Sequence, residues 1–254
     1  MSPPPVPRYN VLGVGVSALD LASARDLVVG SKGSGKLGYI CLCNAHSLGE
    51  AHRDPLFRDV LNQSWLTTPD GMPLVWMGPA GVGRVYGPDL LLAVCDAGRP
   101  AGLRHYFYGG KEGVAQDLAA KLAARFPGLA VAGARTPPYH ELSDSELKLL
   151  AAEIASVRAD VVWVGLGMPK QERFMAGPGQ SIGSPLLIGV GAAFDFHSGR
   201  IRQAPKWVQK SGLEWLFRLL MEPRRLAGRY ATTNTMFVLR LAAQKLGVRR
   251  YPMG

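Results

Sequence analysis

The sequence predicts an α/β fold, a Rossmann-like and largely parallel sheet with flanking helices, followed by a basic helical C-terminal appendage. Short apolar runs recur at 39–43, 65–68, 104–108, 129–132, 160–165 and 186–190, each leading through a turn into a helix-like stretch, which is the alternation that builds a parallel sheet. Hydrophobic residues make up 47% of the 254, enough for one sizeable core. The net charge of +10 lies wholly beyond residue 199, where twelve Lys and Arg face only Glu214 and Glu222. The expected division is therefore an α/β domain over residues 1–199 and the appendage over 200–254.

Taken in order, Tyr9 to Val16 reads as a first strand and Leu19 to Val29 as a short helix. Gly30-Ser31-Lys32-Gly33-Ser34-Gly35-Lys36 has the outline of a phosphate-binding loop. It fails that test because Leu37 stands where Ser or Thr should bind magnesium, and because it follows a helix and precedes a strand. Tyr39 to Cys43 is a near-continuous apolar run suited to a central parallel strand, and it ends on Asn44-Ala45-His46-Ser47. Asp54-Pro55 starts a helix that runs to about Leu61.

Trp65 to Thr68 forms the next strand. Pro69 ends it, and Gly71 lets the chain turn before the apolar run Met72 to Met77. Asp70 thus falls at the carboxyl end of a strand, beside Asn44 and His46. Ligands of open α/β sheets bind at that edge, so a carboxylate there is a candidate general base; the alternative is a cap for the following helix.

Arg84-Val85-Tyr86-Gly87-Pro88-Asp89 leads into a helix over Leu90 to Ala97, with Asp89 as its candidate cap. The strand Arg104 to Tyr108 ends in Gly109-Gly110-Lys111-Glu112-Gly113, with a helix over Val114 to Phe126 behind it. Glycines at such a turn bring backbone amides to a phosphate, and the helix N-terminus adds partial positive charge. A strand at Leu129 to Ala132 and a helix opened by the capping box Ser143 to Glu146 continue the alternation to Val157. Asp160 to Gly165 then opens onto Leu166-Gly167-Met168-Pro169-Lys170-Gln171-Glu172, whose polar residues begin a helix at the same edge. After the last strand, Leu186 to Val190, Gly189 and Gly191 begin as a dinucleotide fingerprint would, but Phe194 replaces its third glycine.

Cys41, Cys43 and Cys95 lack metal-knuckle spacing and read as reduced core residues, Cys41 and Cys43 on one strand face. Nothing resembles a signal peptide, and no run approaches the roughly 18 apolar residues of a spanning helix. Gly199 to Ala204 marks the boundary to the appendage. Trp207 to Leu220 and Leu226 to Leu246 read as helices on either side of Glu222-Pro223. Their interleaved bases and aromatics suit a helical cap on the core, or an interfacial element that meets lipid phosphates. A tail this basic expects an anionic partner: nucleic acid, a phosphate-bearing substrate or an acidic bilayer. A nucleic-acid-binding module would need a helix-turn-helix, RNP or zinc spacing, and an NAD-dependent oxidoreductase the full fingerprint; neither is present.

Seven of these pieces, in this order, resemble the WecG/TagA/CpsF family of bacterial glycosyltransferases from about Tyr9 to about Phe237. They are Asn44 to Ser47, Pro69 to Met72, Arg84 to Leu90, Tyr108 to Gly110, Val164 to Glu172, Gly189 to Phe196, and Trp215 to Leu219 with Glu222-Pro223-Arg224-Arg225. The resemblance implies an inverting transferase at the inner face of the cytoplasmic membrane. It would move N-acetylmannosamine or a related hexose from a UDP donor to a polyprenyl-diphosphate-linked saccharide. It implies Asp70 as the base; Asn44, at the same sheet edge, and Arg84 are the further candidate catalytic residues. Gly109, Gly110, Gly167, Lys170, Gln171, Glu172 and Asp195 would line the nucleotide pocket, and the appendage would close over the site. The chain reads Leu42-Cys43-Asn44 where the family often has Thr-Pro-Asn, which removes a threonine hydroxyl from that position.

The chemistry needs the same parts. An acceptor hydroxyl must lose its proton as it attacks the anomeric carbon, and departing UDP needs amides, arginines or a metal. No Asp-x-Asp metal signature occurs, so Arg84, Arg218 and Arg225 are expected to take that role without a metal or other cofactor, with Arg229 beside them on substrate or lipid phosphate. Nucleic acid is not expected as a partner; a second copy of the chain is an open possibility.

Overall fold

The computed structural model describes residues 5–35, 38–183, 185–205, 207–208, 211, 214–221 and 235–253. The chain opens with a hairpin, not the single strand that its sequence suggests: β1 (Arg8–Val11) pairs antiparallel with β2 (Val14–Ser17). Leu12 and Gly13 form the two-residue turn with φ of 53° and 88°, the paired left-handed conformations that a tight hairpin requires. A leucine at the first of these positions concealed the turn in the sequence.

Eight further segments of regular structure lead through the sheet: α1 (Leu21–Gly30), β3 (Tyr39–Cys43), α2 (Ala45–Arg53), α3 (Pro55–Gln63), β4 (Leu66–Pro69), α4 (Met72–Val75), α5 (Gly87–Ala97) and β5 (Arg104–Gly109). Then follow α6 (Val114–Arg125), β6 (Ala130–Arg135), α7 (Asp144–Ser156), β7 (Val161–Gly165), α8 (Lys170–Ala176), a 3₁₀ turn (Pro178–Ile182), β8 (Leu186–Gly189) and α9 (Ala193–His197). Beyond them lie α10 (Glu214–Met221) and α11 over 235–245. The caps foreseen at Asp54 and Ser143 form, and Asp20 caps α1.

Six strands form one all-parallel sheet in the order β4-β3-β8-β7-β5-β6. Its period-two alternation divides the core. Ile40, Leu42, Phe107, Val161, Trp163 and Ile188 face α1, α5, α6 and α9, whereas Tyr39, Cys41, Cys43, Tyr106, Val162 and Val164 face α2, α3, α7 and α8. The hairpin and α11 join the second layer, where Phe237 is buried. Gln244 ties α11 to the hairpin, its Oε1 accepting from Leu12 N at 2.8 Å and its Nε2 donating to Asn10 O at 2.9 Å.

This topology reverses direction between neighbours. From β5 the chain moves outward to β6, and from β7 it moves inward to β8, so the carboxyl ends of β5 and β7 flank a crevice of the kind that binds ligands. The segment 31–35 joins α1 to β3 at the opposite edge, as its context required.

Candidate active site

Asn44 is the residue on which the first loop turns. It caps α2, its Oδ1 accepting from His46 N at 3.0 Å and Ser47 N at 3.3 Å, while Ser47 Oγ accepts in return from Asn44 N at 3.3 Å. With Oδ1 held by the helix, the amide nitrogen points across to β4 and donates to Asp70 Oδ2 at 3.4 Å. The strand pairing continues one step beyond the ladder, since Asp70 N donates to Cys43 O at 2.8 Å. Asp70 is therefore fixed by main chain as well as side chain. It is not a helix cap: Gly71 takes that position on α4 and no side chain bonds there. Asp89 likewise lies in the first turn of α5, with Tyr86 at the cap.

Arg84 completes this corner. Its Nε donates to Asp70 O at 2.8 Å, its Nη2 lies 3.7 Å from Asp70 Oδ1, and its guanidinium stacks 4.2 Å above the Tyr86 ring. The Asp70 and Arg84 side chains keep 16% and 18% exposure, so the carboxylate is held at the edge of the sheet and partly accessible. Tyr86 was not singled out in the sequence, and the planar stack that positions Arg84 was the signal available in Arg-Val-Tyr.

The neighbouring loops close on this corner from the other strands. Ser47 Oγ donates to Met168 Sδ at 3.0 Å, joining the loop after β3 to the loop after β7. Gly167 has a φ of 75°, and Lys170 is exposed at the start of α8. Gln171 and Glu172 point inward. They are 5% and 1% exposed, with Gln171 Nε2 donating to Glu172 Oε1 at 2.9 Å. Burial pushes the Glu172 carboxyl up to about 7, against the pull of that hydrogen bond. Burial also raises the Cys41 and Cys43 thiols beside it, which keeps them unreactive.

The two glycines that resemble a fingerprint have another purpose. A Cβ at Gly189 would lie 3.0 Å from Gln171 Nε2, and one at Gly191 would lie 3.4 Å from Gln171 Oε1. Their bare backbone seats the Gln171 amide against the end of β8.

At the crevice between β5 and β7, the approach is tightest. Gly109 has a φ of 154°, and a Cβ there would lie 2.5 Å from Gly165 Cα; Gly110 N donates to Gly165 O at 2.9 Å. Asp195 stands on α9 behind this turn, its carbonyl accepting from Arg200 N at 2.9 Å. Arg200 Nη2 reaches back to Glu112 O at 3.3 Å and Asp117 Oδ2 at 3.2 Å, tying α9 to the glycine turn. Asn44, Asp70 and Arg84 therefore form one bonded group. Gly109 and Gly110 lie four strand spacings along the same edge, about 19 Å from β4. Tyr139, 92% exposed in the loop after β6, adds an aromatic ring to that edge that the sequence did not flag.

Arg218 falls on α10, but its side chain, together with Arg225 and Arg229, lies outside the described residues. Among the described residues no group of three or more His, Cys, Asp or Glu is placed to hold a metal ion, and no helix is long and apolar enough to cross a membrane.

The glycosyl transferase WecG/TagA/CpsF family model matches residues 9–251. The chain is 30% identical over 179 residues to the N-acetylglucosaminyldiphosphoundecaprenol N-acetyl-beta-D-mannosaminyltransferase of Bacillus subtilis (strain 168), covering 69% of this chain and 68% of that one. It is 29% identical over 194 residues to the protein of the same description from Bacillus spizizenii (strain ATCC 23059 / NRRL B-14472 / W23), covering 75% and 74%. The match spans both the carboxylate corner and the glycine crevice, and the chain belongs to the WecG/TagA/CpsF family and is a glycosyltransferase.

Proposed function

We propose that the protein transfers N-acetylmannosamine from a UDP donor to a polyprenyl-diphosphate-linked N-acetylglucosamine, with inversion at the anomeric carbon. The substrates in the descriptions of the two Bacillus relatives support the sugar and the lipid-linked acceptor. The observation that carries the mechanism is the carboxylate at the end of β4, held by Asn44 and Arg84 and with 16% of its side chain exposed.

The acceptor hydroxyl oxygen attacks the anomeric carbon as its proton passes to Asp70, and the bond from that carbon to the UDP oxygen breaks. Nucleotide phosphates rest at the Gly109-Gly110 turn, against the N-terminal end of α6, and on the loop around Gly167, with Lys170 at its rim and Asp195 behind. Gln171 and Glu172 support that loop from below. Arg218, Arg225 and Arg229 of the appendage meet the lipid diphosphate at an anionic membrane face, and arginines rather than a metal offset the charge on departing UDP.

Asp70→Asn tests the reading. Arg84 bonds chiefly to the Asp70 carbonyl, which the substitution keeps, so the fold and UDP affinity should persist while turnover falls by roughly 10²–10⁴. Turnover at the wild-type rate would remove Asp70 from the mechanism.

A further inference from the structure

A second cluster of charge lies at the far end of α2, eight residues or about 12 Å along the helix from Asn44. There α2 ends on His52 and Arg53, Asp54 turns the chain into α3 with Arg58 near its start, and α11 and the chain end bring up Arg240, Arg249 and Tyr251. The His52 and Tyr251 rings meet edge to face at 6.3 Å, and the Arg249 guanidinium sits 5.3 Å from the Tyr251 ring. Arg58 runs along the hairpin turn. A Cβ at Gly13 would lie 3.5 Å from Arg58 Cδ and 3.2 Å from Pro252 O.

The cluster is unbalanced. Glu50 is engaged by Arg53 at 3.1 Å with Arg173 at 4.0 Å, and Asp54 pairs with Arg173 at 2.8 Å. Among the described residues Arg58, Arg240 and Arg249 make no ion pair, and Asp59 beside them makes none either. Two donors, Arg58 Nε and Tyr251 Oη, are buried without a hydrogen-bond partner. Buried donors in folded proteins are nearly always satisfied, so a surplus of cations around two unused donors indicates a missing acceptor of negative charge. The imidazole of His52 registers the imbalance. Burial first, then Arg240, Arg249, Arg58 and Arg53, hold its pKa below the usual histidine value.

We propose that this corner is a binding site for a phosphate group, held by Arg58, Arg240, Arg249 and the Tyr251 hydroxyl, with His52 at its margin. Several guanidinium forks around one hydroxyl match a compact anion with several acceptor oxygens. The site is separate from the sheet edge that handles donor and acceptor, so its failure would leave the Asp70 reading untouched. The phosphate comes either from a soluble anion or from the headgroup of an anionic lipid.

The test follows the imidazole of His52 by NMR in the full chain with isotope-labelled histidine, its signal identified by its absence in His52→Gln. Titrations run in chloride, in inorganic phosphate at the same ionic strength, and with phosphatidylglycerol or phosphatidylcholine vesicles. A bound phosphate should raise the His52 pKa by about one unit, as an opposite charge nearby does. Arg58→Gln with Arg240→Gln and Arg249→Gln should weaken that binding at least about tenfold and cancel the induced shift. Among the described residues these guanidinium groups make no hydrogen bond or ion pair, and Arg249 only faces the Tyr251 ring, so the variant should keep the wild-type circular dichroism; if it does not, Arg240→Gln alone replaces it. A response to inorganic phosphate identifies a soluble anion, and a response to phosphatidylglycerol alone identifies a lipid headgroup. No response to either, an equal response to phosphatidylcholine, or a response that survives the arginine substitutions overturns the proposal.

Discussion

Glu172 offers the sharpest test of how the site is supported, because its carboxyl is 1% exposed and Oε2 has no hydrogen-bond partner among the described residues. Its pKa is raised from 4.5 to about 7, chiefly by burial. The folded chain therefore holds a proton that the unfolded chain releases above pH 4.5. Stability from this group is fully present below pH 4.5, falls as pH rises through 7, and is gone above it. The shift corresponds to about 3 kcal/mol, a sizeable fraction of a domain's net stability. Glu172→Gln keeps an oxygen to accept from Gln171 Nε2 and removes the titration. Urea unfolding of both proteins at pH 4.5 and pH 8 should show the variant gaining about 3 kcal/mol on the wild type across that interval. Parallel stability curves would mean that Glu172 titrates as an ordinary surface acid, and the account of its burial would be wrong.

His105 should act in the opposite direction: burial lowers its pKa to about 4 and its Nδ1 accepts from Trp163 Nε1 at 3.1 Å, so about 3 kcal/mol of stability should disappear as pH falls from 6.5 to 4. His105→Gln keeps an acceptor for Trp163 and should flatten that loss in acid unfolding curves; an unchanged acid slope would contradict it. Gly109→Ala sets a Cβ 2.5 Å from Gly165 Cα, backbone against backbone, and should cost roughly 3 kcal/mol, read as a lower Tm; an unaltered Tm would show that the two strands can separate freely. Gly189→Ala should leave the fold standing, since Met175 Cε can move aside, but should displace the Gln171 amide and weaken UDP binding about tenfold by calorimetry; undiminished affinity would remove Gln171 from the nucleotide site.

Most of the sheet was legible because strands buried on both faces must be apolar throughout. Tyr39–Cys43 and Val161–Gly165 carry no competing helical pattern, and their ends are marked by Asn44 and by Gly165-Leu166-Gly167. The hairpin was hidden by the left-handed Leu12, a conformation the residue type does not advertise. Helix α2 was hidden because its capping box, Asn44 with Ser47, uses a residue that also carries a functional reading. Strand order was not legible at all. Which loops meet depends on long-range pairing that no local pattern encodes, and the contact of Ser47 with Met168, 121 residues apart, is an example.

Asn44 and the Gly189–Gly191 pair show why local signals at the sheet edge are ambiguous. A cap and a catalytic neighbour demand the same amide, and in Asn44 one oxygen serves the helix while one nitrogen serves Asp70, so neither role excludes the other. A glycine beside a glycine-rich strand end signals only that some group approaches the backbone closely. In a dinucleotide fold that group is a pyrophosphate; here it is the amide of Gln171, brought in by α8 from the next strand. The replacement of the third fingerprint glycine by Phe194 follows from the same packing, since Phe194 lies against Gly165 and fills the space behind β7. A single substitution separates the two explanations. Phe194→Gly would restore the fingerprint spacing, yet it would empty a side chain that is 1% exposed, and it should destabilise the chain by about 4 kcal/mol without creating affinity for NAD. A stable variant that binds NAD in calorimetry would return the pair of glycines to the dinucleotide reading.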